Sequence, residues 1–170
     1  PNFIRIKECR EVADDFNARY DAISKTYLYV IERKVENPLL IEVCWHPIFD
    51  FDIETFRNVS KLYVGNHCFD FFGSEEEKDG KILSIEDVWV EEKGNYVLWR
   101  VKGRSFLRYQ VRFMVGTAYE IAAGRTSIAE ITSRLDGTNK TTVHHKAPAS
   151  GLILEKVEYD FERSENLAKE

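Results

Sequence analysis

Arg104, Arg108 and Arg112 follow one another at four-residue intervals within GRSFLRYQVRFMVGTAYEIAAG, residues 103–124. At helical pitch this spacing stacks three guanidinium groups in one stripe, flanked by the Phe and Tyr residues of the same stretch. Such a stripe suits phosphate oxygens or a carboxylate, which the planar guanidinium fork grips in bidentate fashion. Two other groupings carry ligating atoms, His67 beside Cys68 and Cys44 two residues before His46. Neither has the paired CxxC or HxxxH spacing of a zinc site, so no metal is expected.

The element that must position the arginines reads as one long helix from Gly103 to Gly124. Leu107, Val111, Met114, Ala118 and Ile121 recur at steps of three and four and form its buried face. Ser105 serves as N-cap and Gly124 as the C-terminal stop. Upstream, Phe3–Cys9 alternates as a short first strand. Thr26–Arg33 is a second strand with Tyr27, Tyr29 and Ile31 on one face. Leu39–Trp45, between Pro38 and Pro47, pairs with it as a hairpin. Asp52 caps a helix from Ile53 to about Tyr63, with Phe56, Val59 and Leu62 facing inward. Residues 73–80 form an exposed, charged hairpin loop. Ile82–Glu91 and Tyr96–Lys102 are strands joined by a turn at Lys93-Gly94-Asn95. Ser127–Leu135 is a short helix with a capping box between Ser127 and Glu130. Residues 138–149 are polar loop, and Gly151–Phe161 is a last strand, irregular near Lys156. Hairpin-joined strands with helices inserted among them describe an α+β fold, a largely antiparallel sheet with helices on one face.

At 170 residues and 44% hydrophobic content the chain is expected to form one domain, residues 1–170. No apolar run approaches the length of a membrane span. Three widely spaced cysteines fit reduced thiols in a cytoplasmic protein better than a disulfide framework. A formal net charge of −5 excludes a surface that grips nucleic acid all over, so any such contact is local. The chain opens on Pro1, and we read it as processed or cut from a longer polypeptide.

Four ordered segments, DFNARYDAISKTYLYVI, VGNHCFDFF, GRSFLRYQVRFMVG and KAPASGLILEKVEY, resemble the C-terminal domain of the tRNA pseudouridine synthase A family. The resemblance implies a pseudouridine synthase-like fold that isomerises uridine to pseudouridine in the tRNA anticodon stem-loop, without metal or cofactor, in a homodimer. The uridine leaves its stack for this chemistry. The family's catalytic aspartate lies in a GRTDxGVHA motif of the N-terminal half. The chain contains no such motif. Gly124-Arg125-Thr126 only begins like it and continues with Ser127, and Asp21 in RYDA lies where the family carries no nucleophile. The N-terminal half is therefore expected as a partner, and the chain alone is expected to be inactive.

By the same resemblance, Tyr27 matches the active-site tyrosine and Arg112 the arginine that pairs with the aspartate. Leu154 matches an apolar residue of the substrate pocket, and Arg108 and Arg104 are candidate phosphate contacts. The plain alternatives are a core tyrosine, an arginine paired with Glu120 or Asp136, a core leucine and a solvated face. His144, His145 and Lys146 form an exposed loop, with contact to RNA as the alternative. A second function class, a non-catalytic RNA-binding or dimerisation module of the same fold, needs no carboxylate.

Overall fold

A computed structural model describes residues 4–34, 39, 42–74, 80, 82–141, 143 and 145–161. Its elements are β1 (Ala22–Glu32), α1 (Ile53–Lys61), β2 (Gly65–Cys68), β3 (Ile82–Lys93), β4 (Tyr96–Gly103), α2 (Gln110–Ala122), α3 (Ala129–Leu135) and β5 (Leu152–Tyr159), with a 3₁₀ turn at Asp70–Phe72. The strands form one antiparallel sheet in the order β2-β3-β4-β1-β5. Period-two alternation sends Tyr29, Ile31, Val97, Trp99, Val101 and Val88 to one face, where they meet Phe56 and Val59 of α1 and Val111, Met114 and Ala118 of α2. Burial of a side chain such as Phe56 contributes about 1.5–3 kcal/mol. Two polar groups of the core are paired: Trp99 Nε1 donates to Ser60 Oγ at 2.9 Å, and the Tyr63 hydroxyl donates to the Met114 carbonyl at 2.9 Å.

The α+β reading, the antiparallel sheet and the Asp52 cap all hold. Asp52 Oδ1 accepts the Thr55 N–H at 3.1 Å. The irregularity expected near Lys156 is a register shift: Thr26 pairs Lys156 and Tyr27 pairs Leu154, which leaves Glu155 as the extra residue. Other expectations need correction. Residues 4–9 form no strand, and Ile4 and Ile6 are 72% and 83% exposed, because alternation makes a strand only where the backbone finds a ladder partner. The 39–45 run lies partly outside the described residues. Its end is one parallel bridge, Trp45 to Ile31, and not a hairpin strand. The Ser127–Glu130 capping box does not form: α3 starts at Ala129 behind Ile128, and the Glu130 carboxylate turns instead to Arg134 at 2.9 Å. Most of the 73–80 loop lies outside the described residues.

The opposite face of the sheet is ionic. Arg100 Nε donates to both Glu155 oxygens at 2.9 and 3.1 Å and its Nη1 lies 3.3 Å from Glu91, so one guanidinium ties three strands. Beside it Glu158 accepts from Lys156 at 2.5 Å, from Ser24 at 2.5 Å and from Lys102 at 2.9 Å. These bonds hold the Glu158 carboxyl down at about 2, from an ordinary value of 4.5, Lys156 contributing most. A folded-state pKa below the unfolded one gives stability that is present above pH 4.5 and lost as pH falls toward 2. We therefore expect wild type to melt above Glu158→Gln at pH 7, and the gap in Tm to close by about pH 2. A gap that persisted at that pH would show that the carboxylate's charge is not the source.

Candidate active site

Between β4 and α2 the chain makes a tight loop, residues 104–109, where the apolar spacing predicts helix. Two glycines admit it. A Cβ on Gly103 would stand 2.9 Å from the Ser84 carbonyl and 3.2 Å from Phe106 Cζ, and one on Gly73 would stand 2.9 Å from Leu107 Cδ1. Gln110 then fixes the helix start. Fully buried, it turns its side-chain oxygen back to accept the Leu107 N–H at 2.8 Å, while its own N–H donates to the Leu107 carbonyl at 3.1 Å. The helix therefore begins at Gln110 and not behind Ser105, and the expected three-arginine helical stripe does not exist. Arg104 and Arg108 are exposed loop residues; Arg112 alone is helical. The junction residue, Tyr109, has φ 68° and ψ 0°, the left-handed conformation, which no other described residue except glycine adopts. For an L-residue this costs about 1–2 kcal/mol, a strain that sites tolerate where surrounding packing imposes it.

The loop walls a cleft of about 360 Å³. Tyr27, Phe106, Leu107 and Leu152 give it flat and apolar surfaces, Arg19, Arg108 and Tyr109 give it a cationic and phenolic rim, and among the described residues no Asp or Glu lines it. The Tyr27 ring meets Phe106 edge to face, centroids 5.2 Å apart at 84°. Burial raises the Tyr27 pKa, so its phenol keeps its proton at neutral pH. Among the described residues its hydroxyl has no hydrogen-bond partner. Leu154 is the cross-strand neighbour of Tyr27 but is 51% exposed and outside the lining, where Leu152 stands instead. Arg104 also lies outside the lining.

Arg112 adjoins the cleft through Tyr109, its Cζ 5.4 Å from that ring's centroid. Its Nε donates to the Ala147 carbonyl at 2.7 Å, and the Ala147 N–H donates back to the Arg112 carbonyl at 3.1 Å. Neither plain alternative partner is used. Glu120 takes Arg125 at 2.6 Å, and Asp136 accepts the Thr138 N–H and hydroxyl. Among the described residues Arg112 has no carboxylate partner. Burial raises the pKa of the Tyr29 phenol, the positive charge of Arg112 opposing it in part, and that phenol donates to the Pro148 carbonyl at 2.6 Å.

Comparison with known proteins sets this geometry in a family. A model of the tRNA pseudouridine synthase family matches residues 59–160, more than half of the chain. The chain belongs to that family. It is 32% identical to tRNA pseudouridine synthase A of Exiguobacterium sibiricum over 160 residues, covering 94% of this chain and 64% of that protein. It is 34% identical to the protein of the same description from Aquifex aeolicus over 158 residues, covering 92% and 65%. With the corresponding protein of Mycoplasmoides gallisepticum, also at 34%, the share of the relative is 59%. The chain thus spans less than two thirds of these relatives. A match of this extent agrees with the C-terminal domain that the four segments resemble.

Gly124 and Asp21, the two segments weighed against the family motif, both lie in turns. Gly124, at φ 70°, donates its N–H to the Ile121 carbonyl as the closing turn of α2, and Asp21 accepts the Asn17 N–H at 2.6 Å inside a turn. His46 Nδ1 lies 3.1 Å from the buried Glu32 carboxylate, and His67 Nε2 lies 3.1 Å from the Val64 carbonyl. Among the described residues no group of three His, Cys, Asp or Glu side chains is arranged to hold a metal, and no helix is long and apolar enough to cross a membrane. His144 lies outside the described residues. The sequence reading missed Tyr109, Gln110, Arg19 and Leu152. Of these only Leu152 carried a signal, since it shares the alternation of Leu154.

Proposed function

We propose that this chain is the tyrosine–arginine half of the active site of a tRNA pseudouridine synthase, completed by an aspartate from the N-terminal half of the same protein. The chain is the C-terminal part of the catalytic region, one domain over residues 1–170. The observation that carries the reading is Arg112: a half-buried guanidinium, fixed through Nε, beside a cleft, with no carboxylate from the described residues on either. A flipped uridine enters the cleft with its base against Tyr27, Phe106 and Leu152. Leu154 extends the apolar surface beside Tyr27, and Arg108 and Arg104 meet backbone phosphate. The incoming aspartate is oriented and kept ionised by Arg112 while it acts on the nucleotide. The N1–C1′ bond breaks, the base turns, C5 bonds to C1′ and gives up its proton, and N1 takes a proton; the reaction is an isomerisation, so no atoms are gained or lost. Tyr27, protonated and flat, holds the base during the turn and offers its hydroxyl to it. The working protein is a cytoplasmic homodimer acting on the anticodon stem-loop.

The test assays the full-length protein and the 170-residue chain side by side on unmodified tRNA. Pseudouridine is expected from the first alone; its formation by the short chain would sink the claim that the nucleophile comes from outside. Retained tRNA binding with no pseudouridine from either would favour a non-catalytic RNA-binding module. In the full-length protein Tyr27→Phe keeps the stacking face, so tRNA affinity should persist while turnover falls roughly 10²-fold, the scale of a positioned proton donor or acceptor. An unchanged rate would confine Tyr27 to stacking.

A further inference from the structure

Arg112 owes its place to a loop. Its Nε donates to the Ala147 carbonyl, and residues 145–149 belong to no helix or strand, so that carbonyl fixes the guanidinium only as well as the loop is itself fixed. The hold also works against charge. Lys146 Nζ stands 4.6 Å from the Tyr109 ring centroid and Arg112 Cζ 5.4 Å from the same centroid, and two cations drawn to one ring repel each other. Two elements grip the loop. On the side of α2, a Cβ on Gly116 would lie 2.0 Å from the His145 carbonyl oxygen, so backbone rests directly on the helix, and the Ala147 N–H donates to the Arg112 carbonyl at 3.1 Å. On the side of β1 the grip is Tyr29. Fully buried, it donates its hydroxyl to the Pro148 carbonyl at 2.6 Å, and a Cβ on Gly151 would stand 2.7 Å from Tyr29 Cε1, so the end of the loop lies on its ring. The neighbouring Val30 N–H donates to the Gly151 carbonyl at 2.8 Å.

Pro148 makes the two carbonyls move together. The peptide that joins Ala147 to Pro148 is planar and the pyrrolidine ring locks φ at about −65°, so one soft dihedral, ψ of Pro148, separates the carbonyl that Tyr29 holds from the carbonyl that holds Arg112. Tyr29 also follows Tyr27 by two residues on the same face of β1. We propose that Tyr29 is a positioning residue for the reaction: through the Pro148–Ala147 backbone it ties the strand that carries Tyr27 to the anchor of Arg112, and so sets the guanidinium against the base. The inference rests on the reading that Arg112 serves the incoming aspartate. Tyr29 does not line the cleft and acts only through the loop. Tyr63 gives the contrast. Its hydroxyl also donates to a backbone carbonyl, that of Met114, but one that α2 already fixes.

The test compares single-turnover rates on saturating tRNA, tRNA affinity and Tm among variants of the full-length protein. Tyr29→Phe keeps the ring against Gly151 and removes only the hydroxyl. It should slow the reaction about 10–10²-fold, the scale of a reacting group displaced by about 1 Å, with tRNA affinity within about twofold of wild type. Tyr63→Phe, the matched loss of a buried hydroxyl, should lower Tm to a similar extent and leave the rate unchanged. The double variant Tyr29→Phe/Arg112→Ala should react at the rate of Arg112→Ala alone, because groups that act through one contact do not add. Pro148 is exposed, so Pro148→Gly leaves the core intact; it keeps both carbonyls, frees φ, and should reproduce part of the rate loss. An unchanged rate in Tyr29→Phe, or losses that multiply in the double variant, would overturn the positioning role and leave the reading of Arg112 standing. So would a rate loss in Tyr63→Phe equal to that in Tyr29→Phe, since the effect would then follow stability and not the loop. Full activity in Arg112→Ala would overturn both.

Discussion

Replacing Arg112 with alanine in the full-length protein should lower turnover on tRNA by about 10²–10³-fold, the scale on which a preorganised electrostatic contact contributes to a reaction. Affinity for tRNA should stay within about threefold. The asymmetry follows from where the side chain stands. Its Nε is bound to Ala147, its guanidinium carbon stands 5.4 Å from the Tyr109 ring centroid, and the proposed partner of its remaining donors is a carboxylate and not the phosphate backbone. Removing it leaves the Ala147 carbonyl without its donor, a cost of about 1–3 kcal/mol in stability, so melting curves must accompany the kinetics. Arg112→Lys separates the two contributions. It keeps the charge and loses the fork, and should recover binding and stability more fully than turnover. Single-turnover rates on saturating tRNA make the measurement. If binding and turnover fell together, Arg112 would belong with the phosphate contacts.

The parts of this fold that were legible in the sequence are those in which one local signal has one outcome. Asp52 ahead of an apolar periodicity gave α1 with its cap, Lys93-Gly94-Asn95 gave the β3–β4 turn, and the alternation of Tyr27, Tyr29 and Ile31 gave the core face of β1. The register shift at Glu155 was readable because the alternation itself stumbles there. The start of α2 was not, because two signals compete. Leu107 and Arg108 continue the helical period of the residues after them. The Gly73 and Gly103 gaps, the backward-turned Gln110 amide and the edge of Tyr27 against Phe106 nevertheless draw residues 104–109 out of the helix. All of those are tertiary contacts, and periodicity does not see them. The same limit applies to the site. Tyr27 and Arg112 were named through resemblance, whereas the conformation of Tyr109 and the cations around it arise where three segments meet.

Gly116→Ala should be among the most disruptive single methyl groups that can be added to this protein. Elsewhere in a helix the change would favour folding by about 1 kcal/mol, since glycine is the poorer helix former. Here the new carbon would stand 2.0 Å from the His145 carbonyl oxygen and 2.8 Å from the Ala147 nitrogen, and backbone must give way. Overpacking of this kind costs about 1–3 kcal/mol, and the two Arg112–Ala147 hydrogen bonds that the displaced loop gives up cost about 1 kcal/mol each. After the gain in propensity, a net loss of about 2–4 kcal/mol in urea unfolding is expected. The functional consequence should exceed the loss of stability. At temperatures where the variant is still folded, Arg112 loses the carbonyl that fixes its Nε, and turnover should fall toward that of Arg112→Ala. Residues acting through one contact do not add, so the double variant should be little slower than Arg112→Ala alone. Additive losses would mean that the loop serves stability only and that Arg112 is held by something other than Ala147.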